Sequence, residues 1–157
     1  MSRRPFSLHS RPEVTETLPT DPPLIRVTAM PEDLNPYGTI FGGWIMGQMA
    51  LAAGSLASRH CGGQASVVAA GDFKFTKPVV VGDEFSVWAE FLDIGRSSMT
   101  IRCGAWRRDR NSEFAERVAE GSFTMVAIGE DKKPREIAKS SPVGGGGPPK
   151  AVEGCHR

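Results

Sequence analysis

Cysteine and surplus charge are both scarce in this sequence. Its three cysteines, Cys61, Cys103 and Cys155, are far apart and form no CxxC pair, which argues against a disulfide framework and against a zinc site. Nineteen basic and 18 acidic residues leave a net charge of +1, so no bulk field would attract nucleic acid or a membrane surface. The unpaired cysteines favour the reducing cytoplasm as the compartment.

Long apolar runs are missing as well. The best candidate is interrupted by Gly, Ser and Gln and falls short of the roughly 20 apolar residues that a membrane span needs. The first residues include arginines, but no apolar run follows them and Glu13 and Glu16 come soon after. We therefore expect no secretory signal and no transit peptide. The function has to be sought in local motifs.

Two terminal segments differ in composition from the rest of the chain. Residues 1–23 are rich in Pro, Ser, Thr and Arg, and residues 139–157 contain the run SSPVGGGGPP. Neither segment has the apolar density to pack into a core. We therefore predict flexible segments at 1–23 and 139–157 and one domain at 24–138.

Within that domain the apolar pattern predicts the order β-α-β-β-β-β. Residues 24–30 alternate as a strand does, and a run from Gly42 to about Arg59 indicates a helix that is apolar almost all round. Short connections between the later strands favour antiparallel neighbours. The predicted class is α+β, with one long central helix wrapped by a curved antiparallel sheet. The four later β-type runs are residues 65–78, 84–95, 97–109 and 114–129.

The start of the predicted helix lies in a stretch without any Asp, Glu, Lys, Arg or His, NPYGTIFGGWIMGQMALAAGS at 35–55. The N-terminus of a helix carries unpaired N–H groups and a partial positive charge. Gly42 and Gly43 have no side chain that would block an approaching carbonyl group. The same glycines could instead serve only a tight turn against the sheet.

Three motifs together resemble a known family. AMPEDLNPYGTIFGGWIMGQM at 29–49, FTKPVVVGD at 75–83 and IGRSS at 94–98 are similar to motifs of the YciA-like hot-dog acyl-CoA thioesterases. The resemblance covers residues 24–137. It implies a hot-dog fold in which two protomers join their sheets, set two helices side by side and bind acyl-CoA across the interface. It also implies frequent hexamers of three dimers, and no metal or cofactor apart from the CoA of the substrate.

The resemblance assigns roles around the helix start. Thioester hydrolysis builds negative charge on the carbonyl oxygen. Gly42, beside Gly43, is the implied oxyanion donor, and Asn35 is expected to shape the turn and to offer an amide hydrogen bond. The carboxylate that family members carry on the helix falls at Ala50 in this sequence, and a methyl group cannot take a proton.

Ala50 leaves three interpretations open. Another group could substitute for the carboxylate: Gln48 could orient water, or Asp72 could act as a base if it faces the site. The alternative for Asp72 is a solvent-exposed charge or an acceptor in a bulge beside Gly71. The chain could also bind acyl-CoA without cleaving it, or be an altered form of an active enzyme. Loss of an activating group typically forfeits about 10² to 10⁴ in rate, which leaves slow hydrolysis supported by the oxyanion site alone as an open alternative.

For the CoA moiety the resemblance points to the GRSS run. Gly95 would let phosphate approach the backbone, Arg96 would pair with it, and Ser97 and Ser98 would offer hydroxyl groups. Lys77 is a second candidate for a phosphate contact. Without the other motifs, these residues would read as a hairpin turn and a solvated charge.

Three further expectations concern packing and surface. The basic cluster RRDRN at 107–111 is expected to be a solvated hairpin, since it lacks the interleaved aromatic residues of a nucleic-acid site. His60, near the helix end, is expected to cap the helix. Small residues on the helix are expected to let the two helices of a dimer approach closely: Gly47, Ala50, Ala53, Gly54 and Ala57.

Overall fold

The computed structural model describes residues 17–138. Residues 1–16 and 139–157, which hold most of the two predicted flexible segments, lie outside the described residues, and the predicted domain boundaries stay predictions. The order of elements confirms the predicted β-α-β-β-β-β pattern and the α+β class. The elements are β1 (Ile25–Thr28), a 3-10 turn (Pro31–Asp33), α1 (Gly42–Cys61), β2 (Ala65–Phe75), β3 (Glu84–Ile94), β4 (Ser98–Arg108) and β5 (Ala115–Ala127).

The five strands form one antiparallel sheet in the order β1-β3-β4-β5-β2. Helix α1 packs against all five strands, which is the helix-in-sheet arrangement expected of a hot-dog fold. Register shifts interrupt the β2–β5, β3–β4 and β4–β5 ladders, and such bulges bend and twist a sheet. The two edges of the sheet are the short strand β1 and the long strand β2.

The core lies between α1 and the sheet face that it covers. On β4, Met99, Ile101 and Cys103 point to the helix and are fully buried, while the exposed Arg102 between them points away. Burial raises the pKa of the Cys103 thiol to about 12, so this thiol is protonated at neutral pH. On α1 the buried residues are Ile45, Met49, Ala52, Ala53, Ala57 and Cys61.

The face of α1 that stays exposed differs from the prediction. Ala53 and Ala57 are fully buried against the sheet, and Gly54 faces the methyl group of Met125, so these small residues serve the core of one protomer. Of the five predicted contacts only Gly47 is exposed. The exposed stripe consists of Gly43, Gly47, Leu51, Ser55 and Arg59.

The end of α1 is capped by groups other than His60. Gly62 adopts the left-handed conformation at φ +67° and its N–H donates to Ser58 O, as is typical of a helix end. The Arg135 guanidinium donates to the Cys61 carbonyl at 2.6 Å. The predicted capping role of His60 is therefore wrong: its exposed ring packs on Phe91, with centroids 4.9 Å apart.

One member of the RRDRN cluster is not a solvated charge. The Arg107 side chain is 18% exposed and lies between the Asp83 and Glu116 carboxylates, at 3.1 Å and 2.8 Å. Burial by itself lowers the pKa of Arg107, but hydrogen bonds to Glu116 and Asp83 outweigh it and raise the pKa. Asp83 is 2% exposed and also accepts the Val80 N–H at 3.0 Å. This buried network fixes the loop between β2 and β3.

The sheet face opposite α1 carries Trp88 and Trp106, whose rings meet edge to face with centroids 5.2 Å apart. The Trp88 indole N–H donates to the Asp21 carbonyl at 2.7 Å, which holds this part of the chain before β1 on the sheet. No helix within residues 17–138 is both long and apolar enough to cross a membrane.

Candidate active site

The turn that leads into α1 is closed by Asn35. Its side-chain oxygen accepts the N–H groups of Tyr37 and Thr39, and its amide nitrogen donates to the Thr39 hydroxyl at 2.8 Å. Gly38 completes the turn at φ +92°, a conformation that favours glycine. Asn35 therefore shapes the turn as expected, and one of its two amide hydrogens is already used within it.

The first turn of α1 presents two unused N–H groups. The Phe41 N–H donates to Asp33 O, and the N–H groups of Trp44 and Ile45 donate to Phe41 O. Within residues 17–138, the N–H groups of Gly42 and Gly43 make no hydrogen bond. Such groups, at the positive end of a 20-residue helix, can stabilise an oxyanion.

Aromatic side chains lie beside Gly42 and Gly43. The Phe41 ring lies over Gly43, because a Cβ at residue 43 would come within 2.3 Å of it. The nearest group to a Cβ at Gly42 is the Phe75 ring, at 3.9 Å. Phe41 and Phe75 are both about half exposed, and Tyr37 is 92% exposed. An acyl group at the helix start would therefore meet apolar surface.

Helix α1 itself carries no carboxylate. Ala50 is half-buried on α1, eight residues beyond Gly42, which is about 12 Å along the helix axis. Gln48 is half-buried, and its amide has no hydrogen-bond partner in the described part of the chain. The side-chain amide of Gln48 can therefore hydrogen-bond to water, but a neutral amide cannot act as a general base.

Asp72 lies away from the helix start. It is exposed, has φ +55° and sits in the bulge where the β2 register shifts between Gly71 and Lys74. It lines a depression with Arg102 and Ser122. The structure therefore favours the bulge interpretation of Asp72 over its role as a substitute base in its own protomer.

The GRSS run forms the tip of the β3–β4 hairpin. The Gly95 N–H donates to Ser98 O at 2.7 Å, and the carbonyl groups of Arg96 and Ser97 accept N–H groups of Ile137 and Ala127. The Arg96 side chain is 85% exposed and lies 3.8 Å from Glu136. The backbone of this tip is thus fixed, while the Arg96 guanidinium stays accessible to a phosphate.

The two halves of the expected site lie at opposite ends of α1. Gly95 and Arg96 line one depression with His60, near the last turn of the helix, whereas Gly42 begins the first turn. Twenty helical residues span about 30 Å. Lys77 is exposed and follows β2 near Phe75, so it lies at the Gly42 end. One protomer therefore does not bring the GRSS run to the helix start.

Sequence reasoning missed several residues that position this site. Phe41, directly before the glycine pair, could have been noticed as an aromatic residue at the helix cap. Phe73 and Phe75 stand two apart in the run DFKF, which places both side chains on one face of a regular strand. The Asp83–Arg107 pair is 24 residues apart, and no local signal in the sequence connects the two.

Comparison with known proteins identifies the family of this chain. The family described as "Thioesterase superfamily" matches residues 37–114. An acyl-CoA thioester hydrolase of Zymomonas mobilis, described as uncharacterized, is 44% identical over 119 residues, which are 76% of this chain and 80% of that protein. The acyl-CoA thioester hydrolase YciA of Escherichia coli is 33% identical over 126 residues, 78% of this chain and 96% of that protein.

A similar crystal structure is that of a hexameric broad-specificity acyl-coenzyme A thioesterase, in an aspartate-to-alanine variant. It is 38% identical, covers 74% of this chain and 86% of that chain, and superposes with a TM-score of 0.72. The identities to named relatives extend over more than two thirds of both proteins in each pair. The chain therefore belongs to the YciA-like acyl-CoA thioester hydrolases of the thioesterase superfamily.

Proposed function

We propose that this protein hydrolyses acyl-CoA thioesters at a site shared by two protomers. The observation that carries the proposal is the pair of N–H groups at Gly42 and Gly43, which make no hydrogen bond within residues 17–138 and lie beside the Phe75 and Phe41 rings. These groups would bind the thioester carbonyl and stabilise the charge that develops on its oxygen. The names of the relatives, acyl-CoA thioester hydrolases, support the substrate class.

The edge strand β2 supports the pairing of two protomers. It is 11 residues long, has one side without a neighbouring strand, and carries Val67 and Val68 at 48% and 59% exposure. A long apolar edge is a template for another strand. Antiparallel pairing of two copies of β2 about a two-fold axis would reverse the direction of the partner's helix. The partner's GRSS tip would then approach the Gly42 end of this chain.

This arrangement would give a role to the predicted residues at both ends of α1, but not to Asp72. Gly42 and Gly43 would hold the carbonyl oxygen, Gln48 would orient water, and Lys77 with the partner's hairpin tip would hold phosphates of CoA. The exposed stripe of α1 would face the helix of the other protomer, where Gly47, with no heavy atom within 4 Å of the position of a Cβ, permits close approach. Three such pairs would form a hexamer, the assembly named for the similar thioesterase. The free, buried thiols of Cys61 and Cys103 support a reducing, cytoplasmic setting.

The alanine at position 50 leads us to expect a low rate of thioester hydrolysis. Without a carboxylate on α1, water would be activated only by orientation, so we expect hydrolysis below that of an enzyme with a general base by about 10² to 10⁴. The alternative, an acyl-CoA binding protein without turnover, predicts binding with no thiol release. Both predict that a carboxylate at position 50 increases the rate.

The test is thiol release from short, medium and long acyl-CoA esters by the natural protein, Ala50→Asp and Ala50→Asn. Asn matches the shape of Asp but is neither a base nor a carboxylate nucleophile, so a gain of at least tenfold for Asp alone would show that a carboxylate at position 50 drives the reaction. Slow release by the natural protein supports hydrolysis. Release by Ala50→Asp only would make the natural protein a binder. No release and no binding for any ester would refute the proposed function.

A further inference from the structure

A row of aromatic side chains leads away from the helix start. The Phe75 ring lies next to Gly42, and the Phe73 ring stacks on Phe75 with an interplanar angle of 20° and centroids 6.2 Å apart. Phe73 also meets Phe123 edge on, with centroids 5.2 Å apart. The row thus runs from the exposed ring of Phe75 to the buried Phe123 on β5.

Phe73 occupies a space that exists only because residue 121 is glycine. A Cβ on Gly121 would lie 2.4, 2.5 and 2.7 Å from three carbons of the Phe73 ring. Gly121 is buried, whereas Phe73 is only half-buried. The ring therefore fills a recess over the β5 backbone from the side of the edge strand. Shortening this one side chain would reopen the recess without altering the backbone around it.

We propose that Phe73 is the end stop of the acyl-chain groove and so determines the longest chain that is fully bound. The inference rests on the proposed function, since it needs the thioester carbonyl at Gly42 and Gly43. From that point the adjoining apolar surface is Phe75, and the next ring along the row is Phe73. Of the two charged neighbours of Phe73 on β2, Lys74 pairs with Glu120 on the opposite face of the sheet, and Asp72 is exposed in the bulge beside Gly71.

Substitutions at Phe73 and Gly121 should change the length of the groove in opposite directions. Phe73→Ala opens the recess, so the groove lengthens. Gly121→Ala adds a methyl group under the ring and displaces it into the groove, so the groove shortens. Phe73→Leu is a milder version of the first change for the case in which Phe73→Ala does not fold. Phe91→Ala is the matched control, because Phe91 is another half-buried phenylalanine, packed on His60 at the far end of α1.

The measurement is the dissociation constant of non-cleavable S-alkyl-CoA thioethers of increasing chain length, by titration calorimetry. Each methylene buried in the groove should tighten binding about fourfold, until the chain reaches the end stop and the gain ceases. We expect the plateau to begin at longer chains in Phe73→Ala and Phe73→Leu, at shorter chains in Gly121→Ala, and at an unchanged length in Phe91→Ala.

The outcomes separate this inference from the proposed function. A plateau that stays at the same chain length in all the variants overturns the end stop and leaves the thioesterase proposal intact. A uniform loss of affinity at every length would show a merely structural role and also overturns it. If no thioether of any length binds to the natural protein, both proposals fail together.

Discussion

Removal of the buried carboxylate of Asp83 is the perturbation whose cost the structure defines best. Asp83 Oδ2 accepts the Val80 N–H at 3.0 Å and the Arg107 guanidinium at 3.1 Å, and the residue is 2% exposed. Breaking a buried pair by removing one partner typically costs about 3–5 kcal/mol. Arg107 keeps Glu116 at 2.8 Å and is partly exposed, so we expect the low end, about 3 kcal/mol, for Asp83→Ala.

The assay is urea unfolding at matched protein concentration, because self-association adds to apparent stability. Asp83→Asn keeps an acceptor for the Val80 N–H but loses the charge. Its free energy of unfolding should therefore lie between those of the natural protein and Asp83→Ala. The control is Glu113→Ala, which breaks the ion pair of Arg108 with a side chain that is 91% exposed and should cost below about 1 kcal/mol. Equal losses for Asp83→Ala and Glu113→Ala would refute the reasoning.

Asp83→Ala should also destabilise the turn that leads into α1. The loop held by Asp83 accepts the Ile40 N–H at Val79 O, at 2.9 Å, and Ile40 stands two residues before Gly42. Loss of the carboxylate should therefore speed hydrogen exchange of the Ile40 amide more than that of amides in the middle of β4. Uniform acceleration throughout the sheet would show global destabilisation without a specific effect on the turn.

Two further predictions concern buried groups. Burial raises the pKa of Cys103 from 9.0 to about 12, so its contribution to stability is complete below pH 9 and is lost as the pH rises towards 12, by up to about 1.4 kcal/mol per pH unit. Urea unfolding of Cys103→Ala should show a shallower decline over that range, and parallel curves would contradict this. Arg135→Ala removes the 2.6 Å bond to Cys61 O and should cost about 1.5–3 kcal/mol, against a few tenths for the exposed Lys132→Ala. Equal thermal unfolding temperatures of the two variants would argue against a cap.

The order of elements was predictable from sequence because each strand and the helix carry their own apolar period. The orientation of the helix was not. Apolar or small residues lie on nearly every face of α1. The sequence pattern therefore did not predict that Ala53 and Ala57 face the sheet while Leu51, at 60% exposure, faces outwards. A narrow polar face would have fixed the rotation, but α1 has only Ser55 and Arg59 on its exposed stripe.

Contacts between distant parts of the chain were also beyond local patterns. Arg135 caps a helix 74 residues away, and Arg107 finds its buried partner 24 residues upstream, so neither role follows from the neighbouring sequence. Asp72 shows the opposite case. The Gly71–Asp72 pair within a strand pattern suggested a bulge, and the bulge is present because Asp, more than most residues, tolerates the positive φ that it requires.

Because Gly42 and the GRSS tip lie at opposite ends of α1, activity should depend on the pairing of two protomers. If the site were complete in one chain, a substitution on the β2 edge, such as Val68→Lys, would change only solubility. In the proposed two-protomer site, every copy supplies the helix start to one site and the hairpin tip to the other. A single edge substitution would then disable both sites of the pair at once, although Val68 itself touches neither the thioester nor the nucleotide. The unit that binds acyl-CoA would accordingly be the pair of protomers, with β2 as the element on which both sites depend.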